Sequence, residues 1–248
     1  MKILVLANKN VGRDCVRYLL REFGSDEYRF LIGPDNRDEI VSIVRDGGRS
    51  ASDLTDAAVA EVTGSFPDGH FDWLLNLWGG QILRAPTLAK ARHSLNIHPG
   101  FLPYGRGRDP IVWAIRRGEP CGLAFHQIIP AIDAGPLWYR EEVARGAHET
   151  GGEVYARVIA RCSAAFEEQW PGIRTREAPP VPQERPDLPT NRRVQTLADR
   201  LVTDERDLQV IRKLLAHDFG PSYRAQVQLD GRTFDVNLNL RPVDKSGR

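Results

Sequence analysis

Short runs rich in apolar residues restrict the fold of this chain more than any other feature of its sequence. The runs occupy residues 3–7, 71–79, 93–98 and 122–129. They are rich in aliphatic and aromatic side chains, which is typical of strands covered on both faces. The stretches between several of them carry apolar residues at helical spacing, as at Cys15, Val16, Leu19 and Leu20. Strands that alternate with helices predict an α/β fold with a largely parallel sheet.

Two helices have clear signals at their ends or along one face. Asp109 suits an N-cap, Pro110 suits the first turn, and Gly118 follows two arginines, so a helix is predicted between Asp109 and Gly118. A later helix is predicted in residues 151–170. Its apolar face consists of Val154, Val158, Ile159 and Cys162.

The composition changes after residue 176. Five of the 17 prolines fall in residues 177–189, which predicts an extended linker at residues 177–190. Two further apolar helical patterns follow, and then apolar and polar residues alternate on both sides of Asp230-Gly231, which predicts a β-hairpin. A hairpin alone is marginal in water, so we expect residues 191–248 to pack on residues 1–176 or to form a dimerisation element.

Charge and cysteine content narrow the class of protein. A net charge of +1 over 248 residues gives no electrostatic footprint of a nucleic-acid-binding protein. The three scattered cysteines fit neither a zinc site nor a disulfide framework, so a reducing, cytoplasmic location is expected. The opening MKILVLA has an apolar run too short for a signal peptide and is interpreted as a strand, and no segment reaches the roughly 20 apolar residues of a membrane span.

The stretch SLNIHPGFLPYGRG places two polar side chains within an apolar run. Because side chains alternate along a strand, Asn96 and His98 point to the same face. Pro99 and Gly100 end the strand, so His98 lies at the carboxyl edge, where open α/β sheets bind ligands. Alternatively, the two side chains satisfy backbone groups at a strand end.

A carboxylate follows the next strand. Asp133, in QIIPAIDAGPLW, lies in a loop with Gly135 and Pro136. There it can meet His98, hold the ring in one orientation and favour its charged form. Considered alone, an aspartate before Ala-Gly-Pro is an ordinary turn residue.

The motif LNIHPGFLPYGRGRDPIVWAI, followed downstream by IDAGP, resembles the signature of formyltransferases that depend on 10-formyltetrahydrofolate. This superfamily includes the glycinamide ribonucleotide, methionyl-tRNA and sugar N-formyltransferases. The similarity spans residues 71–139 and implies a Rossmann-like formyltransferase fold, with a catalytic domain at residues 1–176. It also implies a catalytic triad of Asn96, His98 and Asp133. The aspartate loop usually reads Asp-Thr-Gly, and Ala134 here removes a hydroxyl while keeping the small size.

The resemblance implies direct attack of an amine on the formyl group, with neither a covalent enzyme intermediate nor a metal. Asn96 and His98 would donate N–H groups to the developing oxyanion. Asp133 would keep His98 charged and relay the proton of the amine.

The resemblance also implies residues for the two substrates. Those for the folate are Trp78, Gly79, Ile82, Ile129 and Pro130, although Trp78 fits a core aromatic equally well. Tyr104, Arg106 and Arg108 would contact the acceptor, and the two arginines would clamp a phosphate or the folate tail. Solvated loop charges are an equal alternative for these arginines. No G-x-G-x-x-G follows the first strand, which weakens the case for a dinucleotide oxidoreductase.

The C-terminal segment favours the sugar N-formyltransferases among these relatives. The implied acceptor is the amino group of a nucleotide-linked 4-amino-4,6-dideoxyhexose, in a homodimer that binds neither nucleic acid nor membrane, and the implied pathway is lipopolysaccharide O-antigen biosynthesis. Alternative acceptors are hydroxyornithine and methionyl-tRNA. Hydrolysis of the formyl-folate and a non-catalytic α/β binding module are the remaining alternatives.

Overall fold

A seven-stranded sheet forms the centre of the protein. The computed structural model describes residues 1–146, 149–184, 187–199, 201–202, 207–229 and 231–240. The strands are β1 Lys2–Ala7, β2 Glu27–Ile32, β3 Ala51–Asp53, β4 Phe71–Leu77, β5 Ala91–His98, β6 Gly122–His126 and β7 Leu137–Glu142, in the spatial order β3-β2-β1-β4-β5-β6-β7. The pairs among β1 to β5 are parallel, whereas β6 and β7 run antiparallel to their neighbours. The largely parallel α/β sheet is therefore confirmed.

Helices cover both faces of this sheet. They are α1 Lys9–Glu22, α2 Arg37–Asp46, α3 Asp56–Ser65, α4 Ala85–Leu88, α5 Pro110–Arg117 and α6 Gly151–Thr175. Strand β1 shows why the sheet needs two layers, because Ile3 and Val5 belong to the larger core cluster while Leu4 and Leu6 belong to the smaller one with Val62 of α3. Apolar side chains on both faces account for the unbroken apolar run of this strand.

The ends of helix α5 follow the prediction only in part. Gly118 adopts a left-handed conformation at the C-cap, with φ of 67°, as a C-terminal glycine commonly does. Asp109 occupies the N-cap position but makes no capping hydrogen bond with its side chain. Its carboxylate instead pairs with Arg193 at 2.7 Å. The backbone of Asp109 is left-handed, with φ of 56°, whereas a capping residue is typically extended.

The C-terminal residues form a small second sheet with helices. The elements are α7 Arg193–Asp199, β8 Leu201–Val202, α8 Asp207–Ala216, β9 Ala225–Leu229 and β10 Arg232–Val236. The predicted hairpin is confirmed, since β9 and β10 pair antiparallel with Leu229 opposite Arg232, and β8 adds a parallel strand. Asp230 of the predicted turn and residues 241–248 lie outside the described residues.

The order of the strands determines where a ligand site is expected. The chain places β2 and β3 on one side of β1 and places β4 and β5 on the other, so the direction of winding reverses between β1 and β4. Crevices for ligands form at such a reversal, beyond the carboxyl ends of the strands. Among the described helices, none has the length and apolarity that crossing a bilayer requires.

Candidate active site

Three polar side chains lie side by side across the middle of the sheet. The strand register places Asn76 of β4 opposite Asn96 of β5, and Asn96 opposite His126 of β6. The Nδ2 atom of Asn76 lies 2.8 Å from Oδ1 of Asn96, and Nδ2 of Asn96 lies 3.0 Å from Nε2 of His126. We call Asn76, Asn96 and His126 the polar row.

The orientation of each amide in the polar row follows from a backbone donor. The Gly79 N–H donates to Oδ1 of Asn76 at 2.9 Å, so the Nδ2 group of Asn76 must face Asn96. The Nδ2 group of Asn96 then faces His126, whose other ring nitrogen, Nδ1, lies 2.9 Å from the Gln127 carbonyl oxygen. His126 therefore donates through Nδ1 and accepts through Nε2 when it is neutral. The amide of Asn96 is held in one orientation.

His98 lies at the end of β5 and is buried. Its Nε2 atom lies 3.1 Å from the carbonyl oxygen of Gly105, and its Nδ1 atom lies 3.5 Å from Oδ2 of Asp133. Gly100 leaves room for the ring, because a Cβ there would lie 2.7 Å from Nε2. Both ring nitrogens face acceptor oxygens, so an N–H on either atom would find a partner.

The loop that contains Asp133 returns over the face that carries Asn96 and His98. Oδ2 of Asp133 accepts a hydrogen bond from the Gly107 N–H at 2.8 Å, and Oδ1 lies 3.3 Å from Nε2 of His126. The backbone of Asp133 is left-handed, with φ of 50°, which is uncommon for a residue other than glycine and recurs at functional sites. The carboxylate thus lies between the two histidine rings.

Burial and the Asp133 carboxylate shift the pKa of His98 in opposite directions. Burial lowers the pKa of His98, and the charge of Asp133 raises it without offsetting the burial. The expected charged ring is therefore wrong for the free protein, in which His98 is neutral near pH 7. Burial also raises the pKa of Asp133, but the two histidine rings and the Gly107 N–H outweigh it and hold this pKa below its usual range.

The structure places the residues expected to contact the acceptor at different depths. Tyr104 is half-buried, Arg108 is exposed and Arg106 is 5% exposed. The Nε and Nη2 atoms of Arg106 donate to Oε1 of Gln183 at 3.1 and 2.8 Å. Substrate contact by these three residues stays a prediction.

The residues expected to bind the folate follow β4 and β6 in the chain. Trp78 follows β4 with φ of 72°, is half-buried and packs against the larger core cluster. Gly79 is buried, whereas Ile82 is 78% exposed. Ile129 and Pro130 begin the Asp133 loop, with Ile129 half-buried and Pro130 exposed. Their contact with a folate stays a prediction.

Sequence reasoning missed two members of the polar row. Asn76 and His126 both stand next to the end of an apolar run, as Asn96 and His98 do, and that shared position was the available signal. Within the part of the chain that the structure describes, no group of three or more His, Cys, Asp or Glu side chains is arranged to hold a metal ion.

Residues 74–168, which contain the polar row, His98 and Asp133, match the formyl transferase family. The chain resembles the formyl transferases. This result confirms the resemblance inferred from the motifs. Over 65 residues the chain is 40% identical to dTDP-4-amino-4,6-dideoxyglucose formyltransferase of Mycobacterium bovis, an alignment that covers 26% of this chain. The alignment spans 28% of the length of that relative.

Solved formyltransferase structures share the fold over much more of the chain. A 4-N formyltransferase from Francisella tularensis superposes with a TM-score of 0.78 and 19% identity, covering 98% of each chain. The formyltransferase PseJ from Anoxybacillus kamchatkensis, solved with UDP-4,6-dideoxy-4-formamido-L-AltNAc and tetrahydrofolate, gives a TM-score of 0.53 and 22% identity. It covers 75% of this chain and 82% of its own. These likenesses confirm the fold class.

Proposed function

We propose that this chain is an N-formyltransferase that moves a formyl group from N10-formyltetrahydrofolate to the amino group of a nucleotide-linked amino sugar, of the 4-amino-4,6-dideoxyhexose type. One observation carries the proposal. The Asp133 carboxylate lies within reach of the His98 ring and the Gly107 N–H, on the face that carries Asn96. All four residues fall within the segment that matches the formyl transferase family.

Asn96, His98 and Asp133 have the chemistry that formyl transfer requires. The amine nitrogen forms a bond to the formyl carbon, the bond from that carbon to N10 breaks, and one proton of the amine ends on N10. The Asn96 amide donates to the oxygen that becomes negative during attack, and so does the Nε2–H of His98 once it exchanges the Gly105 carbonyl oxygen for the substrate. Asp133 takes up the amine proton, directly or through water, and returns it to the leaving nitrogen.

A neutral His98 in the free protein is compatible with this role. Negative charge that develops on an oxygen beside the ring favours the charged form of His98, in the same direction as Asp133 already does. The ring therefore becomes a stronger donor as the reaction proceeds. Such differential stabilisation of the transition state is what accelerates a reaction.

The comparisons support the choice of both substrates. The mycobacterial relative is named for a dTDP-linked 4-amino-4,6-dideoxy sugar, and the Anoxybacillus structure holds a UDP-linked formamido sugar together with tetrahydrofolate. We assign the folate to Trp78, Gly79, Ile82, Ile129 and Pro130. The acceptor would contact Tyr104, Arg106 and Arg108, of which Arg108 is exposed to solvent. The pathway that we propose for such an acceptor is lipopolysaccharide O-antigen biosynthesis.

We further propose that residues 1–176 are the catalytic domain, residues 177–190 a linker and residues 191–248 a dimerisation element. Exposed apolar side chains support the last assignment, among them Leu208 at 56% and Phe234 at 46%. Light scattering should find a dimer for the full chain and a monomer for the double variant Leu208→Ser and Phe234→Ser. A monomeric parent chain would refute the homodimer.

The decisive experiment is a panel of acceptors. The purified chain is incubated with 10-formyltetrahydrofolate and, separately, with dTDP-, UDP- and GDP-linked 4-amino-4,6-dideoxy sugars, hydroxyornithine and glycinamide ribonucleotide. Mass spectrometry then follows the gain of a formyl group. We expect formylation of at least one nucleotide-linked sugar, and turnover of hydroxyornithine alone would refute the acceptor class.

Variants assign the activity to the proposed residues. Asn96→Ala and His98→Ala each remove one donor to the oxyanion, so each should lower kcat by about 100- to 1,000-fold. His70→Gln is the matched control, because His70 lies in the turn before β4 and contacts Phe66 instead of the site. Full activity of His98→Ala would exclude catalysis at this site.

A further inference from the structure

Gln183 of the proline-rich segment joins the two loops that surround His98. Its Nε2 group donates to the carbonyl oxygens of Asp133 and Gly135 at 2.8 and 2.7 Å. Its Oε1 atom accepts from Nε and Nη2 of Arg106 at 3.1 and 2.8 Å. One amide side chain therefore connects the Asp133 loop to the loop that follows β5.

The orientation of the Gln183 amide is fixed by its partners. Two carbonyl oxygens face one end of the amide and a guanidinium faces the other. In a flipped amide, Oε1 would face the two carbonyl oxygens and the Nε2 group would face the guanidinium, and neither contact is a hydrogen bond. Gln183 itself is held by the backbone of its own segment, because Val181 exchanges two hydrogen bonds with Leu137 of β7, at 2.7 and 2.8 Å.

Both loops need external support for their geometry. Asp133 has a left-handed backbone, which costs free energy unless its surroundings stabilise it. The loop after β5 supplies the Gly107 N–H that holds Asp133 and the Gly105 carbonyl that faces His98. A shift of one loop relative to the other would therefore separate the Asp133 carboxylate from the His98 ring.

We propose that Gln183 is a positioning residue that holds the Asp133 carboxylate against His98 by tying the carbonyl oxygens of Asp133 and Gly135 to Arg106. This assignment rests on the proposed formyl transfer for its effect on rate. Its effect on geometry is independent of that function. Gln183 touches neither reacting group and acts only through the position of Asp133.

Two variants separate the two ends of the amide. Gln183→Glu keeps an oxygen for Arg106 and gains an ion pair, but it loses the Nε2 donors, whereas Gln183→Met loses both ends at similar length. We expect both variants to lower kcat by about 10- to 100-fold, because a misplacement of up to 1 Å can have an effect of this size, and to leave KM for the folate within about twofold. KM for the acceptor is not used as a control, since Arg106 is itself a proposed acceptor contact. Gln226→Met is the matched control, since it removes the hydrogen bond from a glutamine amide to Asp235 in the C-terminal hairpin.

The protonation of His98 gives a readout that does not need activity. Asp133 raises the pKa of His98, so a displaced carboxylate in Gln183→Met should move the NMR titration midpoint of His98 to lower pH. The His98 resonance is identified by its loss in His98→Gln. Gln226→Met should leave this midpoint unchanged.

The outcomes distinguish the possibilities. A purely stabilising role predicts that Gln183→Glu, with its ion pair to Arg106, retains both its melting temperature and its kcat, and that result would overturn the proposal. Wild-type kcat together with an unchanged His98 midpoint in Gln183→Met would also overturn it. If Gln183→Met fails to fold, the kcat of Gln183→Glu decides. If the parent chain formylates no amine, the proposed function fails, and the His98 titration still tests Gln183.

Discussion

Adding one methyl group at Gly135 tests whether the Asp133 loop must lie close to the sheet. A Cβ at Gly135 would overlap the carbonyl oxygen of Gln127 and would lie 2.9 Å from its carbonyl carbon. Non-bonded carbon atoms are normally about 3.5–4.0 Å apart, so the loop or the end of β6 must move by about 1 Å. The loop is anchored there by the hydrogen bond from Gln127 N–H to the Pro136 carbonyl at 2.8 Å.

Two consequences of Gly135→Ala can be measured. Overpacking of this kind costs about 1–3 kcal/mol, and for a domain of this size each kcal/mol lowers the melting temperature by about 2–4 °C. Asp133 is two residues away, so a shift near 1 Å moves the carboxylate relative to His98 and should lower kcat by about 100-fold. Differential scanning calorimetry and the formyl-transfer assay measure the two effects.

Gly64→Ala is the matched control. Gly64 lies in α3, where an added Cβ would have no neighbour within 4 Å, so the variant should be neutral or stabilise the helix by up to about 1 kcal/mol. A Gly135→Ala protein that melts and turns over like the parent would refute the argument. It would mean that the loop moves away from β6 without moving Asp133.

Three further predictions concern charge, orientation and a helix end. Asp133→Asn should destabilise the fold most at mildly acidic pH, where the carboxylate is ionised and His98 can carry a proton, and the difference in urea unfolding should shrink below about pH 4. The pKa of Asp133 is lower in the folded chain than in the unfolded chain, so the ionised carboxylate stabilises the fold above the unfolded pKa, and this stabilisation is lost as the pH falls. A difference that does not change with pH would contradict the prediction. Asn76→Ala removes the hydrogen bond that orients the Asn96 amide but leaves the amide in place. It should therefore lower kcat by a smaller factor than Asn96→Ala, for which about 100- to 1,000-fold is expected, and steady-state kinetics measures both. Thr150→Ala removes the capping box with Glu153 of α6 and should cost about 1 kcal/mol in chemical denaturation, and an unchanged midpoint would count against that cap.

The strands and the shared face of Asn96 and His98 followed from local patterns. Apolar runs and the alternation of side chains depend only on neighbouring residues, so the sequence predicts them well. The approach of Asp133 to His98 was also expected, because both follow strands of one sheet. What the resemblance added was the choice of this aspartate among the ordinary turn residues.

The remaining features depend on residues far apart in the chain. Asp109 has a left-handed backbone and pairs with Arg193 instead of capping α5, and Gln183 reaches the Asp133 loop from 50 residues away. The neutral His98 results from how deeply the ring is buried, and burial is a property of the whole fold. None of these leaves a signal within a short window of sequence.

The polar row takes one residue from each of three adjacent strands. The orientation of its two amides is set by the hydrogen bond from the Gly79 N–H to Asn76. A shift of one residue in either strand pair would turn a member to the opposite side of the sheet. A polypeptide that stops before β6 would still contain Asn96 and His98 but would lack the partner that completes the row. The Asn96–His126 contact and the Asp133 loop that follows β6 can therefore form only after β6 has paired with β5.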